Sequence, residues 1–281
     1  MEVQWFPGHM AKAMREMKED IGLIDLVIEV VDARIPASSR NPELDRLAAG
    51  KSRLLIFNKT DLSDDRENER WLKYFADQGI VTVKMNSKTG LGVKDVNKAV
   101  DAACAKKIER DRKRGIKERP VRAMVVGIPN VGKSAFINSF AGKSVAKAAN
   151  KPGVTRGKQW VRLSKKLELM DTPGVMWPKF EGKDVGLHLA MTGAVNDMIL
   201  PVEEMALNIA DLMQEIYPGR LDEKYGCGEL KGYECLEAVS KRLGCLKRGG
   251  DPDTEKGAAA LIKDFRTGAL GKITIERVEQ R

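Results

Sequence analysis

The chain has 281 residues, of which 42% are hydrophobic, and this length and composition predict two packed domains without low-complexity regions. Its net charge of +9 favours a polyanionic partner, with nucleic acid ahead of a membrane surface, although a basic protein without such a partner would have the same composition. No apolar run approaches the roughly 18 residues of a membrane span, and the charged N-terminus lacks the apolar core of a signal peptide, so we expect a cytoplasmic protein without membrane attachment.

Up to about residue 180, hydrophobic spacing predicts strands that alternate with helices. The first seven elements are a helix at 10–22, a strand at 26–31, a helix within 41–50, a strand at 53–57, a helix at 64–78, a strand at 80–85 and a helix at 92–108. Buried strands separated by helices are typical of a largely parallel α/β sheet.

A basic stretch at 106–122 follows, and we interpret it as a surface connection because it combines Lys and Arg residues with Gly115 and Pro120. The elements predicted after it are a strand at 122–128, a helix from Lys133, a hairpin of strands at 159–164 and 166–171, and helices at 201–219, 232–244 and 255–270. The pattern predicts an α/β domain over residues 1–180 and a small all-helical domain over residues 181–281.

The segment GIPNVGKS, residues 127–134, has the spacing G-x-x-x-x-G-K-S between a predicted strand and a predicted helix. In this context the backbone N–H groups of the loop bind phosphate oxygens, and the helix N-terminus adds positive potential. We expect Lys133 to bind the β- and γ-phosphates and the Ser134 hydroxyl to ligate Mg²⁺. A chance Gly-rich turn is the alternative.

NKTD, residues 58–61, indicates which nucleotide binds. The Asp61 carboxylate can accept hydrogen bonds from N1–H and the 2-amino group of guanine, whereas adenine lacks that amino group and would leave the carboxylate unpaired. We expect Asn58 to contact the other edge of the base and the stem of Lys59 to lie against its face. The tetrapeptide is short enough to occur by chance, but it lies at the end of a predicted strand.

NSKTG, residues 86–90, ends the next predicted strand. There the backbone N–H groups of Ser87 and Lys88 are expected near guanine O6. Taken alone this segment is only a polar turn.

Two segments on the other side of the phosphate loop complete the predicted site. In DTPG, residues 171–174, we expect Asp171 to hold Mg²⁺ through water and the Gly174 N–H to contact the γ-phosphate. In PGVTRG, residues 152–157, Thr155 is expected to be a second hydroxyl ligand of Mg²⁺. The predicted metal ligands are Ser134, Thr155 and Asp171. The predicted nucleotide contacts are Asn58, Lys59, Thr60, Asp61, Asn86, Ser87, Lys88, Asn130, Val131, Gly132, Lys133, Ser134, Ala135, Thr155 and Gly174.

The order of these segments is unusual, because the base-reading segments precede the phosphate loop that ordinarily comes first in a GTPase. With five elements of one site present, we interpret the chain as a circularly permuted P-loop GTPase. A site built from strand ends tolerates such rewiring, since it depends on spatial placement, and a surface connection can rejoin the former termini. The basic stretch at 106–122 is the expected join.

Along its whole length the chain resembles the YlqF family of circularly permuted GTPases, in these motifs, their order, WFPGHM at 5–10 and DARIP at 32–36. The resemblance implies a GTP-hydrolysing, Mg²⁺-dependent switch that acts late in assembly of the large ribosomal subunit and contacts its rRNA. The basic stretch at 106–122 and the Lys and Arg residues of the helical domain, residues 181–281, are the expected RNA-binding surface, and a solvated charged face is the alternative. The sequence leaves the oligomeric state open.

Val175 follows DTPG, where Ras-like enzymes have a Gln that orients the attacking water, so we expect slow hydrolysis by the protein alone and stimulation by ribosomal particles. His9 is a candidate to orient this water, and a His that packs or contacts RNA is the alternative. Asn130 resembles an asparagine that binds K⁺ in related GTPases, and a loop-shaping Asn is the alternative. The predicted catalytic residues are Lys133, Thr155 and His9.

Three other functions remain open from the sequence. One is a GTPase that acts on another RNA, and the absence of a modification motif in the last hundred residues weakens it. Another is a GTP-dependent RNA-binding module in which hydrolysis is incidental. An ATPase is the third, and competition between GTP and ATP would separate it.

Overall fold

The computed structural model describes residues 8–116, 119–145, 160–170, 184–195 and 200–280. Its strands are β1 (Leu26–Asp32), β2 (Ser52–Asn58), β3 (Val81–Lys84), β4 (Val121–Val126), β5 (Trp160–Arg162) and β6 (Leu167–Met170). These six strands form one sheet in the order β3-β2-β1-β4-β6-β5, in which only the β5–β6 hairpin is antiparallel. This confirms the predicted α/β class with a mostly parallel sheet.

Helices pack on both faces of the sheet and make up most of the described residues after β6. They are α1 (Gly8–Asp20), α2 (Pro42–Leu47), α3 (Asp65–Asp77), α4 (Val93–Ala103), α5 (Ala105–Lys113), α6 (Lys133–Val145), α7 (Val185–Met191), α8 (Val202–Ile216), α9 (Arg220–Tyr225), α10 (Gly232–Arg242) and α11 (Thr254–Thr267). Within the described ranges, no helix is both long enough and apolar enough to cross a bilayer.

The two faces of β2 pack into different parts of the core. Leu54 and Ile56 join the main cluster, whereas Phe57 packs beside Trp71 and Phe75 of α3. This alternation follows the two-residue period of a strand, and each fully buried side chain of this size contributes about 1.5 to 3 kcal/mol. Because both faces are covered, the strands read as continuous apolar runs and the polar chemistry is left to the strand ends.

The helices after residue 200 pack mainly on one another. α11 lies against α8 and α10, and it crosses α10 closely at Gly257, where an added Cβ would lie 1.9 Å from Ser240 Oγ. The chain after α11 then returns to the sheet. Backbone N–H groups of Ile273 and Ile275 donate to the carbonyls of Leu62 and Arg34 at 2.9 and 2.8 Å.

The segment 106–122 lies at the surface for the most part, but the prediction that it is an irregular connection is wrong for its first half. Residues up to Lys113 form α5, which is separated from α4 by a break at the fully buried Cys104. Lys107 and Asp111 pair across one turn at 3.0 Å with little exposure. The charges of this segment therefore include a buried ion pair that helps to hold a helix, which composition alone did not reveal.

Candidate nucleotide-binding site

The polar motifs that end β2, β3 and β4 meet at the carboxyl-terminal edge of the sheet. They do so because these strands, together with β1 between them, run parallel and so end on the same side. Ligands of open α/β sheets bind at this edge. The structure thus brings NKTD and NSKTG next to the phosphate loop.

Asn58 links these three segments. Its side chain is buried, and its Nδ2 donates to the Val131 carbonyl at 2.7 Å while its Oδ1 accepts from the Ser87 N–H at 3.0 Å. Gly132 approaches so closely that an added Cβ would lie 2.3 Å from Asn58 Nδ2. Each polar end of the Asn58 amide makes one hydrogen bond within the protein, and these bonds align the motifs. An amide has a second N–H and a second lone pair, so the expected contact with the base stays a prediction.

Lys59 is held by an ionic contact with Asp32, the last residue of β1. Its backbone is left-handed (φ 62°), and its Nζ lies 2.8 Å from Asp32 Oδ2. Arg34 donates to the same carboxylate from Nε at 3.0 Å and from Nη2 at 2.8 Å. Burial opposes ionisation of Asp32, but these two cations hold its pKa far below the usual value, so the network stays charged.

Thr60 and Asp61 complete the base-reading segment. The N–H and the hydroxyl of Thr60 both donate to the Met85 carbonyl, at 3.4 and 3.1 Å, which ties NKTD to the end of β3. Asp61 is exposed, and its side chain makes no hydrogen bond or ion pair with any described residue. Its carboxylate is thus available to a ligand.

NSKTG is shaped by its own first side chain. Asn86 Oδ1 accepts from the N–H groups of Lys88 and Thr89 at 3.0 and 3.3 Å. The Ser87 N–H already donates to Asn58, so the two backbone donors expected at guanine O6 are both engaged here. The Ser87 hydroxyl is buried and has no partner in the described chain. Among the described residues, this hydroxyl and the exposed Lys88 ammonium are donors of the loop that have no partner.

The phosphate loop wraps around the ammonium group of Lys133. This lysine begins α6, and its Nζ donates to the carbonyls of Gly127 and Ile128 at 3.0 and 2.6 Å. Burial lowers the pKa of Lys133 to about 8. Gly127 passes close to β1, since an added Cβ there would lie 2.5 Å from the Val30 carbonyl oxygen.

Asn130 lies at the tip of the phosphate loop with a left-handed backbone (φ 60°). Its Nδ2 donates to the carbonyl of Gly193, just beyond α7, at 2.9 Å. The loop tip is thereby connected to the chain that leads into the C-terminal helices. Of the neighbouring predicted contacts, Val131 is buried, whereas Ser134 is exposed in the first turn of α6 and Ala135 is half-buried.

Several predicted site residues lie outside the described part of the structure. They are Thr155, Asp171 and Gly174, together with Val175 beyond them. His9 belongs to the first turn of α1, and its side chain is outside the description as well.

Sequence reasoning missed Asp32, Arg34 and Gly193 as members of the site. Asp32 and Arg34 belong to DARIP, and a charged pair that directly follows a fully buried strand was the available signal. Gly193 carries no such signal, because it contributes only a backbone carbonyl.

Comparison with solved structures supports the fold, and comparison with sequences supports the family. A solved structure described as GNP-bound YlqF from T. maritima superimposes with a TM-score of 0.69, at 24% identity over 95% of this chain and 98% of that chain. The family described as "50S ribosome-binding GTPase" matches residues 122–223, from β4 into the C-terminal helices.

Two full-length relatives establish the family. Ribosome biogenesis GTPase A of Bacillus cereus is 44% identical, over 100% of this chain and 95% of the relative. The protein of the same name from Priestia megaterium is 43% identical, over 98% of this chain and 97% of the relative. With the base-reading segments joined to the phosphate loop by Asn58, the chain belongs to the ribosome biogenesis GTPase A (YlqF) family of circularly permuted GTPases, and it is a GTPase.

Proposed function

We propose that the chain is a GTP-hydrolysing switch that binds the large ribosomal subunit and its rRNA and acts late in assembly of that subunit. The observation that carries the nucleotide part is the side chain of Asn58, which joins two base-reading segments to one phosphate loop. Support for the ribosomal part comes from the names of the matched family and relatives and from the net charge of +9, which suits an RNA partner.

In the proposed complex the guanine base lies between Asp61 and NSKTG. The exposed Asp61 carboxylate accepts from N1–H and the 2-amino group. The buried, unpartnered Ser87 hydroxyl fits the role of donor to O6, which replaces the backbone donors expected earlier. The phosphates occupy the loop around Lys133, where backbone N–H groups and the start of α6 favour an anion.

The proposed ligands of Mg²⁺ are Ser134, Thr155 and Asp171. Hydroxyl and carboxylate oxygens suit this hard cation, and the exposed Ser134 hydroxyl lies at the start of α6, beside the proposed phosphate position. When bound, Mg²⁺ supplies charge neutralisation at the β- and γ-phosphates.

GTP hydrolysis moves the γ-phosphoryl group to a water molecule, so the protein contributes positioning and electrostatic stabilisation. Lys133 stabilises the phosphate charge, and Thr155 and Gly174 are the proposed contacts of the γ-phosphate. Val175 offers no hydrogen-bonding group to the water, which makes turnover by the protein alone slow. The group that compensates is supplied by His9 or by a K⁺ ion.

For K⁺, the proposed ligand is the side-chain oxygen of Asn130. Its Nδ2 is already directed to the Gly193 carbonyl, which fixes the amide plane and leaves Oδ1 for a cation. A K⁺ ion held there adds positive charge next to the phosphates, in place of an arginine finger.

The test is steady-state GTP turnover titrated with purified large or small ribosomal subunits, in potassium and in sodium. We expect saturable stimulation by large subunits only, with a higher rate in potassium. Unchanged turnover would favour an RNA-binding module with incidental hydrolysis, and equal rates in both salts would remove the K⁺ site. His9→Ala separates the two candidates, because it should abolish stimulation and preserve GTP affinity only if the imidazole orients the water.

A further inference from the structure

A cavity of about 1150 Å³ opens at the amino-terminal edge of the sheet. It is bordered by Asp25 before β1, Arg53 of β2, Val81 of β3 and Arg122 of β4. The nucleotide motifs follow the opposite ends of these strands, and the seven residues of β1 separate the two edges by about 20 Å. This cavity is therefore distinct from the nucleotide site.

Its wall is strongly basic, because eight of the lining residues are Lys or Arg and two are Asp. Part of this charge is neutralised locally. Arg40 and Arg53 both bind Glu29 at 3.1 Å, and both also pair with Asp45. These carboxylates fix the two guanidinium groups in place and neutralise most of their positive charge, so the two arginines would attract an anionic ligand only weakly.

The cations around Asp25 are also engaged. Lys107 lies 3.5 Å from the Asp25 carboxylate, and Arg119 lies 3.6 Å from it. Lys51 donates to the Ile24 carbonyl at 2.9 Å. These contacts position the rim of the cavity.

Lys106 and Arg110 differ from these lining cations because their side chains are not paired with described residues. They lie one turn apart on α5, both are exposed and both line the cavity, yet neither has a hydrogen-bond or ion-pair partner among the described residues. Like charges at i and i+4 destabilise a helix by a few tenths of a kcal/mol. An anion in the cavity would relieve that repulsion.

The positive surface continues beyond the cavity. Arg112 and Arg114 are exposed at the end of α5, next to the cavity-lining Arg110. A concave surface with a large excess of one charge sign concentrates its field, and a series of cations suits a polymer with repeated charges better than a single small anion.

We propose that this basic cavity binds the phosphodiester backbone of RNA, with Lys106 and Arg110 as its phosphate contacts. The inference deepens the proposed function and rests on it, since it identifies where the rRNA of the subunit would lie. It places RNA and GTP at opposite edges of one sheet. Contacts of this kind add affinity and fix orientation, and they carry no base specificity.

The test compares the full-length chain with a Lys106→Ala/Arg110→Ala variant, binding either intact large subunits or deproteinised rRNA at several salt concentrations. Loss of two phosphate contacts should reduce the slope of log K against log salt by about 1.4 to 1.8 with both probes. The matched control, Lys12→Ala/Lys73→Ala, removes the same charge from exposed residues that pair with Glu16 and Asp77, away from the cavity. Its slope should stay near that of the wild type.

Each other outcome has one interpretation. If wild type binds neither probe, the proposed function fails. Another outcome is that wild type binds, but the slope of log K against log salt is unchanged in Lys106→Ala/Arg110→Ala or falls no more than in the control variant. In that case the cavity is not the RNA site, and the proposed function stands. A loss with subunits but not with deproteinised rRNA would assign the cavity to an acidic protein surface and overturn the inference. Unchanged GTP affinity and melting temperature show that the variant is folded.

Discussion

Asn58 donates to Val131 and accepts from Ser87, which are 73 and 29 positions away in the chain. A single buried amide thus holds together motifs whose order along the chain is reversed. Gly132 makes the approach feasible, because any side chain there would occupy the space of the Asn58 amide. Three predictions follow from these residues and from Lys133.

Asn58→Ala should decrease the free energy of unfolding by about 2 to 4 kcal/mol, because the Val131 carbonyl and the Ser87 N–H both lose their buried partner. GTP affinity should fall about tenfold or more as the segments lose alignment. Denaturant unfolding and titration with fluorescent nucleotide measure the two effects. Asn208→Ala, which removes an exposed amide bonded only within α8, should change neither, and an intact affinity in Asn58→Ala would contradict the proposed alignment.

Gly132→Ala should weaken GTP binding through two effects that a control can separate. Gly132 has a φ of +98°, and its added Cβ would meet Asn58 Nδ2 at 2.3 Å. Gly219 has a similar φ of +86° with open space around it, so Gly219→Ala carries the backbone strain alone. We expect both variants to lose some thermal stability and only Gly132→Ala to lose affinity for GTP. Equal losses of affinity would trace the effect to general destabilisation.

The lowered pKa of Lys133 predicts a pH dependence of GTP binding. Below about pH 8 the ammonium is charged and pairs with phosphate, whereas above it the free protein must first take up a proton. Affinity should therefore be flat near neutrality and fall by up to about tenfold per pH unit above 8. Lys133→Arg keeps a charge to much higher pH and should lack this inflection. The same profile in both proteins would remove Lys133 as its cause.

At the level of elements, the sequence predicted the strands well and the connections poorly. Buried strands such as 26–31 and 53–57 can be predicted because their residues are mostly apolar, and the motifs at their ends predict the position of the site. The break between α4 and α5 depends on the burial of Cys104, a tertiary effect. The short helices α7 and α9 were not predicted, and neither was the return of the chain after α11, because their contacts are made with residues far away in sequence.

The returning segment is held chiefly by Glu276. Its buried carboxylate accepts from the N–H groups of Ala37 and Ser38 at 2.6 and 3.0 Å and lies 3.3 Å from His188 Nδ1, and the Ser38 hydroxyl donates to it as well. Burial opposes ionisation of Glu276, but the contacts with His188 and Ser38 lower its pKa below the ordinary value. A carboxylate of this kind stabilises the fold above its unfolded-state pKa, and the stabilisation is lost as pH falls through the lowered one.

Glu276→Gln should decrease the free energy of unfolding at neutral pH by about 2 to 4 kcal/mol, since a neutral amide replaces a charge surrounded by donors. The variant should also lose less stability than wild type as the pH falls below the ordinary glutamate pKa of 4.5, because the titrating group is gone. Urea unfolding at several pH values measures both. Glu279→Gln, at an exposed ion pair with Arg70, should stay within about 0.5 kcal/mol of wild type, and an equal acid limb in Glu276→Gln would contradict the assignment.

Across the whole molecule, the end of α7 is held from three directions. Asn130 of the phosphate loop donates to Gly193, Arg34 after β1 donates to the Thr192 carbonyl at 3.3 Å, and Arg266 of α11 donates to the carbonyls of Met191 and Ala190 at 3.0 and 2.7 Å. This short stretch therefore connects the nucleotide loop to the C-terminal helices. A ligand that moves Asn130 would shift the position of α11 through these contacts. By this route bound GTP would change the affinity of the protein for RNA.

Arg266→Ala should reduce the effect of the bound nucleotide on RNA affinity, while both ligands still bind. We expect wild type to bind large subunits more tightly with a non-hydrolysable GTP analogue than with GDP, and Arg266→Ala to narrow that ratio because α11 no longer senses residues 190–193. Affinity for the nucleotide itself should stay near wild type, since the described hydrogen bonds of the Arg266 guanidinium go to backbone carbonyls of α7. Arg248→Ala removes an equal charge from an exposed loop between α10 and α11 and should leave the ratio intact. Sedimentation with subunits at fixed salt measures the ratio, and an unchanged ratio in Arg266→Ala would rule out this route of coupling.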